Sequence, residues 1–326
     1  VASLFGVTDS SRLIFTSGAT ESLNLAIKGL VKPGDHVIAS VLEHNSVMRP
    51  LGSLGKEGVE VSQIKCNNEG LIDPADVKKT IQGNTALVIL THASNVMGSI
   101  EPVQAIGSIT RNNNIPLLVD ASQTAGVIPL DVEKLNIDML AASGHKGLMG
   151  PQGTGILYVG EGITLKPLKE GGTGGGSSED EQPEALPDRY EAGTMNTPGI
   201  AGLGAAVSFI QERGIDNIRK KELSLLQRLI DGLKQISGVV IYGPHDAKKR
   251  VSLVSFNVKE LDPAMVCIAL DEDYGIMSRS GLHCAPDAHR FLGIFPSGCV
   301  RISPGYFNGE DEINRLVNAI QEIAGS

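Results

Sequence analysis

The sequence predicts an α/β protein: a large domain with a mostly parallel, mixed sheet flanked by helices, followed by a smaller α+β domain. Short apolar runs alternate with helix-periodic segments between residues 13 and 142. Such alternation is typical of βαβ units, which place helices on both faces of a parallel sheet. Polar residues also follow several predicted strands, and sheets of this type bind ligands at the carboxyl ends of their strands.

The predicted elements begin with a strand from Leu13 to Thr16 and a helix that starts at Ala19. Asp73 and Pro74 support a later helix start, because aspartate caps a helix and proline suits its first position. The remaining elements of this half are the strands His36 to Ser40, Val59 to Ile64, Thr85 to Leu90, Pro116 to Val119 and Ile137 to Ala142, and the helices Ser46 to Lys56, Asp73 to Ile81 and Pro102 to Asn112.

The alternation stops between Lys169 and Asn196, where a run of glycines at 171–176 indicates either a functional loop or a flexible linker. Beyond it we predict a long helix from Pro198 and a smaller α+β unit, and we divide the chain into domains 1–205 and 206–326. That unit contains helices at 216–236, 263–271 and 310–323 and strands at 239–242, 252–258 and 299–303. The chain starts at Val1 rather than methionine, which leaves open whether a segment precedes it.

Composition favours a cytoplasmic enzyme that acts on small molecules. The formal net charge of −9 argues against a nucleic-acid partner, since phosphate binding requires a basic face. No apolar run approaches the roughly 20 residues of a membrane helix. The four cysteines lack CxxC spacing, so the sequence predicts thiols and no metal site.

Lys146 is the first candidate for chemistry. It lies between an apolar strand and the glycine-rich turn at Gly150 to Gly155, where backbone can crowd around its amine. A partly desolvated amine loses its proton more easily and can form a Schiff base with an aldehyde. A solvated loop lysine is an equally good interpretation of this stretch alone.

Pyridoxal phosphate (PLP) accounts for more of the sequence than other cofactors do. Dinucleotide and nucleoside-triphosphate loops (GxGxxG, GxxxxGK[ST]) are absent. PLP requires an amine, an acid for its pyridine nitrogen, a ring to stack on it and an anion site. Lys146, Asp120, His44 and the helix start at Ala19 and Thr20 could supply these, although that start also fits a plain helix cap.

With these motifs the chain resembles the class V aminotransferases of PLP fold type I, and among them the cysteine desulfurases and selenocysteine lyases. The resemblance covers essentially the whole chain. It rests on seven segments in this order: Ser17 to Asn24, Glu43-His44, His92 to Gly98, Asp120 to Gln123, Ser143 to Lys146, Glu191 to Thr194, and Arg279 to Ala285.

The resemblance implies a role for each candidate. Lys146 would carry PLP, Asp120 would pair with the pyridine nitrogen, His44 would stack on the ring, and Gln123 would bond the phenolic oxygen. Asn95 and Arg301 would hold the substrate carboxylate, with Asn95 also near the cofactor and Arg279 near the substrate. The phosphate group would be held by Ala19, Thr20, Ser143 and His145. Thr173 would reach the phosphate of a second subunit, which implies a homodimer.

Cys284 decides which reaction the resemblance implies. A desulfurase needs a thiolate that takes sulfur from cysteine as a persulfide and passes it to an acceptor, and Arg279 and His283 could favour the thiolate. Cys66, Cys267 and Cys299 are interpreted as ordinary buried thiols.

Two departures from the family pattern leave alternatives open. The first is that Leu282 stands where a second histidine is usual and Pro286-Asp287 where a glutamine-proline pair is usual. The second is that the family carries an N-terminal segment ahead of the part that matches Val1, and without it we expect poor PLP binding or slow turnover. The alternatives are another class V reaction (transamination, epimerisation, selenocysteine lysis or β-elimination), or PLP binding without turnover.

Overall fold

The computed structural model describes residues 1–175 and 180–325, so the end of the glycine-rich segment, at 176–179, lies outside the described residues. Two sheets organise the described chain, one of seven strands and one of three. The α/β class with a mostly parallel, mixed sheet is therefore confirmed.

The large sheet has the strand order β1-β7-β6-β5-β4-β2-β3. Its β7 runs antiparallel to both neighbours, and the other pairings are parallel. Its strands are β1 (Leu13–Thr16), β2 (His36–Ser40), β3 (Glu60–Ile64), β4 (Thr85–Thr91), β5 (Leu117–Asp120), β6 (Met139–Ser143) and β7 (Gly155–Val159). The helices that accompany them are α1 (Ala19–Leu30), α2 (Asn45–Gly55), α3 (Pro74–Thr80), α4 (Val103–Asn112) and α5 (Thr197–Arg213).

Successive side chains of a strand point to opposite faces of the sheet, and in the central strands the side chains on both faces are buried. In β4, Leu87 and Ile89 pack into one apolar cluster, whereas Val88 and Leu90 pack into the cluster on the other face. Each continuous apolar run in the sequence therefore contributes side chains to two apolar clusters, one on each face of the sheet.

The small sheet is antiparallel, with the order β10-β9-β8, and carries its own apolar cluster. Its elements are α6 (Ile215–Lys234), β8 (Val239–Tyr242), β9 (Val254–Val258), α7 (Pro263–Glu272), α8 (Pro286–Phe291), β10 (Val300–Ile302) and α9 (Glu310–Gly325). The division after residue 205 stays a prediction, and α5 runs continuously across it. Among the described residues, no helix combines the length and apolarity that a bilayer span requires.

Candidate active site

The carboxyl ends of β2, β4, β5 and β6 meet in a cleft. Eight of the predicted site residues line it together: Ala19, Thr20, His44, Asn95, Asp120, Gln123, Ser143 and Lys146. A wider recess shares Gln123 and Lys146 with the cleft and adds Glu222 and Arg301. A small molecule can therefore reach Lys146 from the recess.

Lys146 follows β6 in the turn that the sequence singled out. Its side chain is open to solvent along the cleft, yet protein surrounds it on the other sides. This desolvation lowers the pKa of the Lys146 amine; the Asp120 carboxylate opposes the shift, and the Arg301 and Arg279 guanidinium groups add to it. The amine is thus more readily deprotonated than an ordinary lysine.

The turn between β1 and α1 is held against β7 by two glycines. A Cβ atom on Gly155 would lie 2.5 Å from the Cα of Gly18, so only glycine permits this approach. Gly18 is the N-cap of α1 and offers no capping side chain. The approach places the start of α1 at the edge of the cleft.

The start of α1 presents free hydrogen-bond donors. Among the described residues, the backbone N–H groups of Ala19 and Thr20 have no acceptor. The Thr20 hydroxyl lies 2.8 Å from the Ser46 hydroxyl, and Ser143 ends β6 on the same side of the cleft. Unpaired helix-start amides with nearby hydroxyls bind anions such as phosphate.

His44 is fixed through its Nδ1 atom. The Ser46 backbone N–H donates to Nδ1 at 3.0 Å, and the Ser46 hydroxyl lies 2.9 Å from the same atom. Burial lowers the pKa of the His44 ring, Asp120 opposes this shift, and Lys146 adds to it. His44 is therefore a neutral, immobilised ring on the cleft wall.

Asp120 ends β5 and faces the cleft. Its Oδ1 accepts a hydrogen bond from the Ser122 N–H at 2.9 Å, and Oδ2 has no donor among the described residues. The Ser122 hydroxyl is buried and also lacks a partner there. Because buried polar groups are rarely left unpaired, the Ser122 hydroxyl indicates that a polar ligand completes this wall.

Cys284 reaches the site from the smaller sheet. The Arg279 Nη2 donates to its Sγ at 3.8 Å, and its backbone is left-handed, with φ of 59°. The preceding His283 is left-handed too, at 48°. Cys284 also acts electrostatically on Lys146, so the two proposed reactive groups share one site.

Two hydrogen bonds tie the Cys284 segment to the large sheet. The Asn45 backbone N–H donates to the Cys284 carbonyl at 2.7 Å, and the Asn95 side-chain amide donates to the His283 carbonyl at 2.7 Å. Arg301 Nη1 donates to the Asn95 carbonyl at 3.0 Å. The buried Arg301 Nε has no partner among the described residues. Asn95 is thus engaged with the cysteine segment, and Arg301 retains a free donor.

Two predicted residues lie away from the cleft wall. His145 is mostly exposed and lies next to Lys146 at the side of the cleft. Partial burial lowers the pKa of its ring, and the Lys146 charge adds to this shift. Thr173 lies in the loop that follows β7, where its hydroxyl donates to the Gly175 carbonyl at 3.1 Å. Its predicted contact with a second subunit stays a prediction.

Sequence reasoning gave no role to Asn45, Ser46 and Ser122. Ser46 has a local signal, because it lies two residues after the Glu43-His44 motif, in the first turn of a helix. Asn45 acts through its backbone, and the orphaned state of the Ser122 hydroxyl depends on burial, so no residue-type signal reveals either.

The cleft fits PLP on the features that this group requires. Five features lie around this one cleft: helix-start amides for a phosphate, an acceptor for a pyridine N–H, a neutral histidine ring, an unpaired hydroxyl and an amine of lowered pKa.

Comparison with known proteins places these residues in a family context. The family model described as Aminotransferase class-V matches residues 1–316. A probable cysteine desulfurase of Methanothermobacter thermautotrophicus is 37% identical over 322 residues, covering 97% of this chain and 80% of that protein. One of Pyrococcus abyssi is 38% identical over 326 residues, covering 96% and 79%.

Solved structures agree with the sequence relatives. The cysteine desulfurase from Thermococcus onnurineus NA1 superimposes with a TM-score of 0.93 at 37% identity, covering 99% of this chain and 82% of that one. The cysteine desulfurase CsdA from Escherichia coli gives 0.91 at 28% identity, covering 98% and 81%.

Proposed function

The chain belongs to the class-V aminotransferase family, and we propose that it is a PLP-dependent cysteine desulfurase, which converts L-cysteine to L-alanine and receives the sulfur as a persulfide on Cys284. The observation that carries the proposal is the thiol of Cys284, which contacts Arg279 and acts electrostatically on Lys146. A thiol in this position suits sulfur transfer, whereas transamination or epimerisation does not require it.

The described residues would hold PLP along the cleft. The amides of Ala19 and Thr20 and the hydroxyl of Ser143 would bind the phosphate, Asp120 would accept the pyridine N–H, and His44 would cover the ring. Gln123 and Ser122 would bond the remaining polar atoms. When bound, PLP supplies an electron sink that makes a Cα–H bond of an amino acid acidic.

Arg301 would bind the substrate carboxylate. Its buried Nε donor lacks a partner, and a planar guanidinium forms paired bonds with a carboxylate. The Asn95 amide is already bonded to His283, so its contribution would be to position Arg301 and the cysteine segment. The substrate would enter through the recess that Arg301 and Lys146 both line.

Lys146 and Cys284 would perform the proton and sulfur transfers. The Lys146 amine, whose pKa is lowered, removes the substrate Cα proton. The Cys284 thiolate, which lies beside the Arg279 guanidinium, attacks the substrate sulfur. An S–S bond forms, the C–S bond breaks, and the electron pair of the C–S bond ends in a new C–H bond of alanine. The balance is L-cysteine plus the Cys284 thiol giving L-alanine plus the Cys284 persulfide.

We extend the proposal to the cellular setting on the strength of the family resemblance. The enzyme would be a cytoplasmic homodimer in which Thr173 reaches the phosphate of the second subunit. The persulfide would pass to a sulfur-acceptor protein.

The test follows alanine, sulfide and protein-bound persulfide after addition of L-cysteine to the PLP-loaded protein. We expect Cys284→Ala to lose persulfide and most alanine production while it still binds PLP. Lys146→Ala should lose covalent attachment of PLP after borohydride reduction, as located by mass spectrometry. Cys66→Ala removes a thiol outside the cleft and serves as the matched control.

Three results would contradict the proposal. Undiminished alanine and sulfide formation by Cys284→Ala would exclude the persulfide route. PLP reduced onto a lysine other than Lys146 would overturn the assignment of the site. Keto-acid or D-amino-acid products in place of alanine would indicate another class V reaction, and PLP binding with no product from any amino acid would indicate a binding protein.

A further inference from the structure

His283, His289 and Cys299 form a buried cluster behind Cys284. Their potential ligand atoms all lie within 4.8 Å of one another. The three side chains expose 2% or less of their surface. They come from the cysteine segment, from α8 and from the residue before β10, so only the fold brings them together.

One nitrogen of each ring is hydrogen-bonded to a backbone carbonyl, and the Gly281 carbonyl also acts on the His289 ring. The His289 Nδ1 lies 2.9 Å from the Ala285 carbonyl, and the His283 Nε2 lies 3.1 Å from the Cys299 carbonyl. A carbonyl only accepts, so each of these nitrogens carries the proton. Donation of one ring N–H to a backbone carbonyl is the arrangement that prepares the other nitrogen to ligate a metal.

The remaining nitrogens face the Cys299 thiol at separations that suit ligation of one ion. The His283 Nδ1 is buried and has no hydrogen-bond partner among the described residues. The His289 Nε2 lies 3.5 Å from the Cys299 Sγ. Metal bonds of about 2.0 Å to nitrogen and about 2.3 Å to sulfur hold such atoms roughly 3.5 to 3.8 Å apart at tetrahedral or trigonal angles.

The donor set and the neighbouring charge select the type of ion. One thiolate and two imidazoles suit soft or borderline cations, and trigonal His₂Cys sets are typical of copper. Arg301 acts electrostatically on both His283 and Cys299. A divalent ion with one thiolate would leave a net positive charge buried near that guanidinium, which is costly. A monovalent ion would leave none.

We propose that His283, His289 and Cys299 bind a soft monovalent cation, copper(I). Binding replaces the thiol proton: the Cys299 S–H bond breaks, an S–Cu bond forms, one proton is released, and no electron is transferred. The ion would fix the segment that carries Cys284 to the start of β10. The site is separate from the PLP cleft, and its test does not depend on desulfurase activity.

The test is an anaerobic titration with copper(I) in competition with a chromophoric copper(I) chelator. Cys284→Ala is the parent in every sample, so that the reactive thiol cannot bind the metal. We expect one copper per chain, and at least a roughly 100-fold loss of affinity when Cys299→Ala is added, since even loss of an outer partner costs about 10–100-fold. Cys66→Ala removes another buried thiol and should leave the affinity unchanged.

X-ray absorption of the copper-loaded parent keeps the test independent of whether the Cys299 variant folds. We expect two nitrogen neighbours and one sulfur neighbour. Three outcomes would overturn the proposal. These are no copper uptake by the parent, an equal affinity of a Cys299→Ala protein that circular dichroism shows to be folded, or copper coordination without a sulfur neighbour. Tighter binding of Zn²⁺ than of copper(I) in the same titration would overturn the argument from charge.

Discussion

Replacement of Glu43 by glutamine should change how stability depends on pH. Glu43 is fully buried between β2 and β4. Its Oε1 accepts hydrogen bonds from the Ser40 hydroxyl at 2.6 Å and from the Thr91 N–H at 2.9 Å, while Oε2 has no partner among the described residues. Burial raises the pKa of this carboxyl to about 8.

The sign follows from proton linkage. The folded protein holds the Glu43 proton up to about pH 8, whereas the unfolded chain releases it near the ordinary value of 4.5. The stabilisation is complete below the unfolded pKa and is lost as the pH rises through the folded pKa. Between about pH 6 and about pH 9 the loss is about 3 kcal/mol, at 1.36 kcal/mol per pKa unit.

Glu43→Gln should remove this decline. The amide oxygen can accept the same two hydrogen bonds and does not titrate, so we expect the stability of Glu43→Gln relative to the parent to rise by about 3 kcal/mol between about pH 6 and about pH 9. The chain lacks tryptophan, so urea unfolding is followed by circular dichroism of the cofactor-free protein. Glu101, whose pKa burial also raises to about 8 and whose charge adds to the Glu43 shift, remains in both proteins, so both retain a decline with pH from Glu101 itself.

The exposed Glu57→Gln variant is the control and should decline as the parent does. An equal loss of stability between the two pH values in the parent and in Glu43→Gln would refute the assignment of a neutral carboxyl to this position.

Three further substitutions test the cleft. Ser122→Ala removes an unpaired buried hydroxyl, so it should slightly raise the free energy of unfolding of the cofactor-free protein in urea. The same change should weaken PLP binding about 3–10-fold, as measured by PLP titration. A lower free energy of unfolding with unchanged PLP affinity would contradict this. Asn95→Ala leaves the His283 carbonyl unpaired and should lower the free energy of unfolding in urea by about 1–3 kcal/mol. It should also reduce kcat, measured as alanine release. An unchanged free energy of unfolding together with an unchanged kcat would exclude the positioning role. Gly155→Ala forces apart the approach to Gly18 and should weaken PLP binding more than Gly204→Ala does, because a Cβ on Gly204 meets no atom within 4 Å. Equal PLP affinities would argue against that packing.

Local patterns predicted the strands and helices of the large sheet because burial of each element repeats at a fixed period. They missed the antiparallel β7: the glycines at 153 and 155 indicate a turn, and only pairing with β1 and β6 makes Gly155–Val159 a strand. They also missed α8, a helix of six residues that is too short to show a helical period.

The sequence correctly grouped those site residues whose positions are set by the strand order of the sheet alone. His44, Asp120 and Lys146 follow strands that share one sheet edge, so chain order was sufficient to bring them together. The bond from Asn95 to His283 spans 188 residues, and the His289–Cys299 contact depends on how α8 packs against β10. No local pattern encodes contacts of that kind, because they are set by the packing of whole elements.

The geometry of the reaction depends on how two sheets are joined rather than on either sheet alone. Lys146 is positioned by β6 of the large sheet, whereas Cys284 lies on a segment that hydrogen-bonds to β10 neighbours of the small sheet. The bonds from Asn45 and Asn95 cross between these parts and end on the carbonyl groups of Cys284 and His283. Because both carbonyl acceptors belong to left-handed residues, the crossing bonds favour a backbone conformation that an isolated segment would rarely adopt. Loss of either bond should therefore affect sulfur transfer more than PLP attachment, because the proposed attachment point, Lys146, follows β6 of the large sheet.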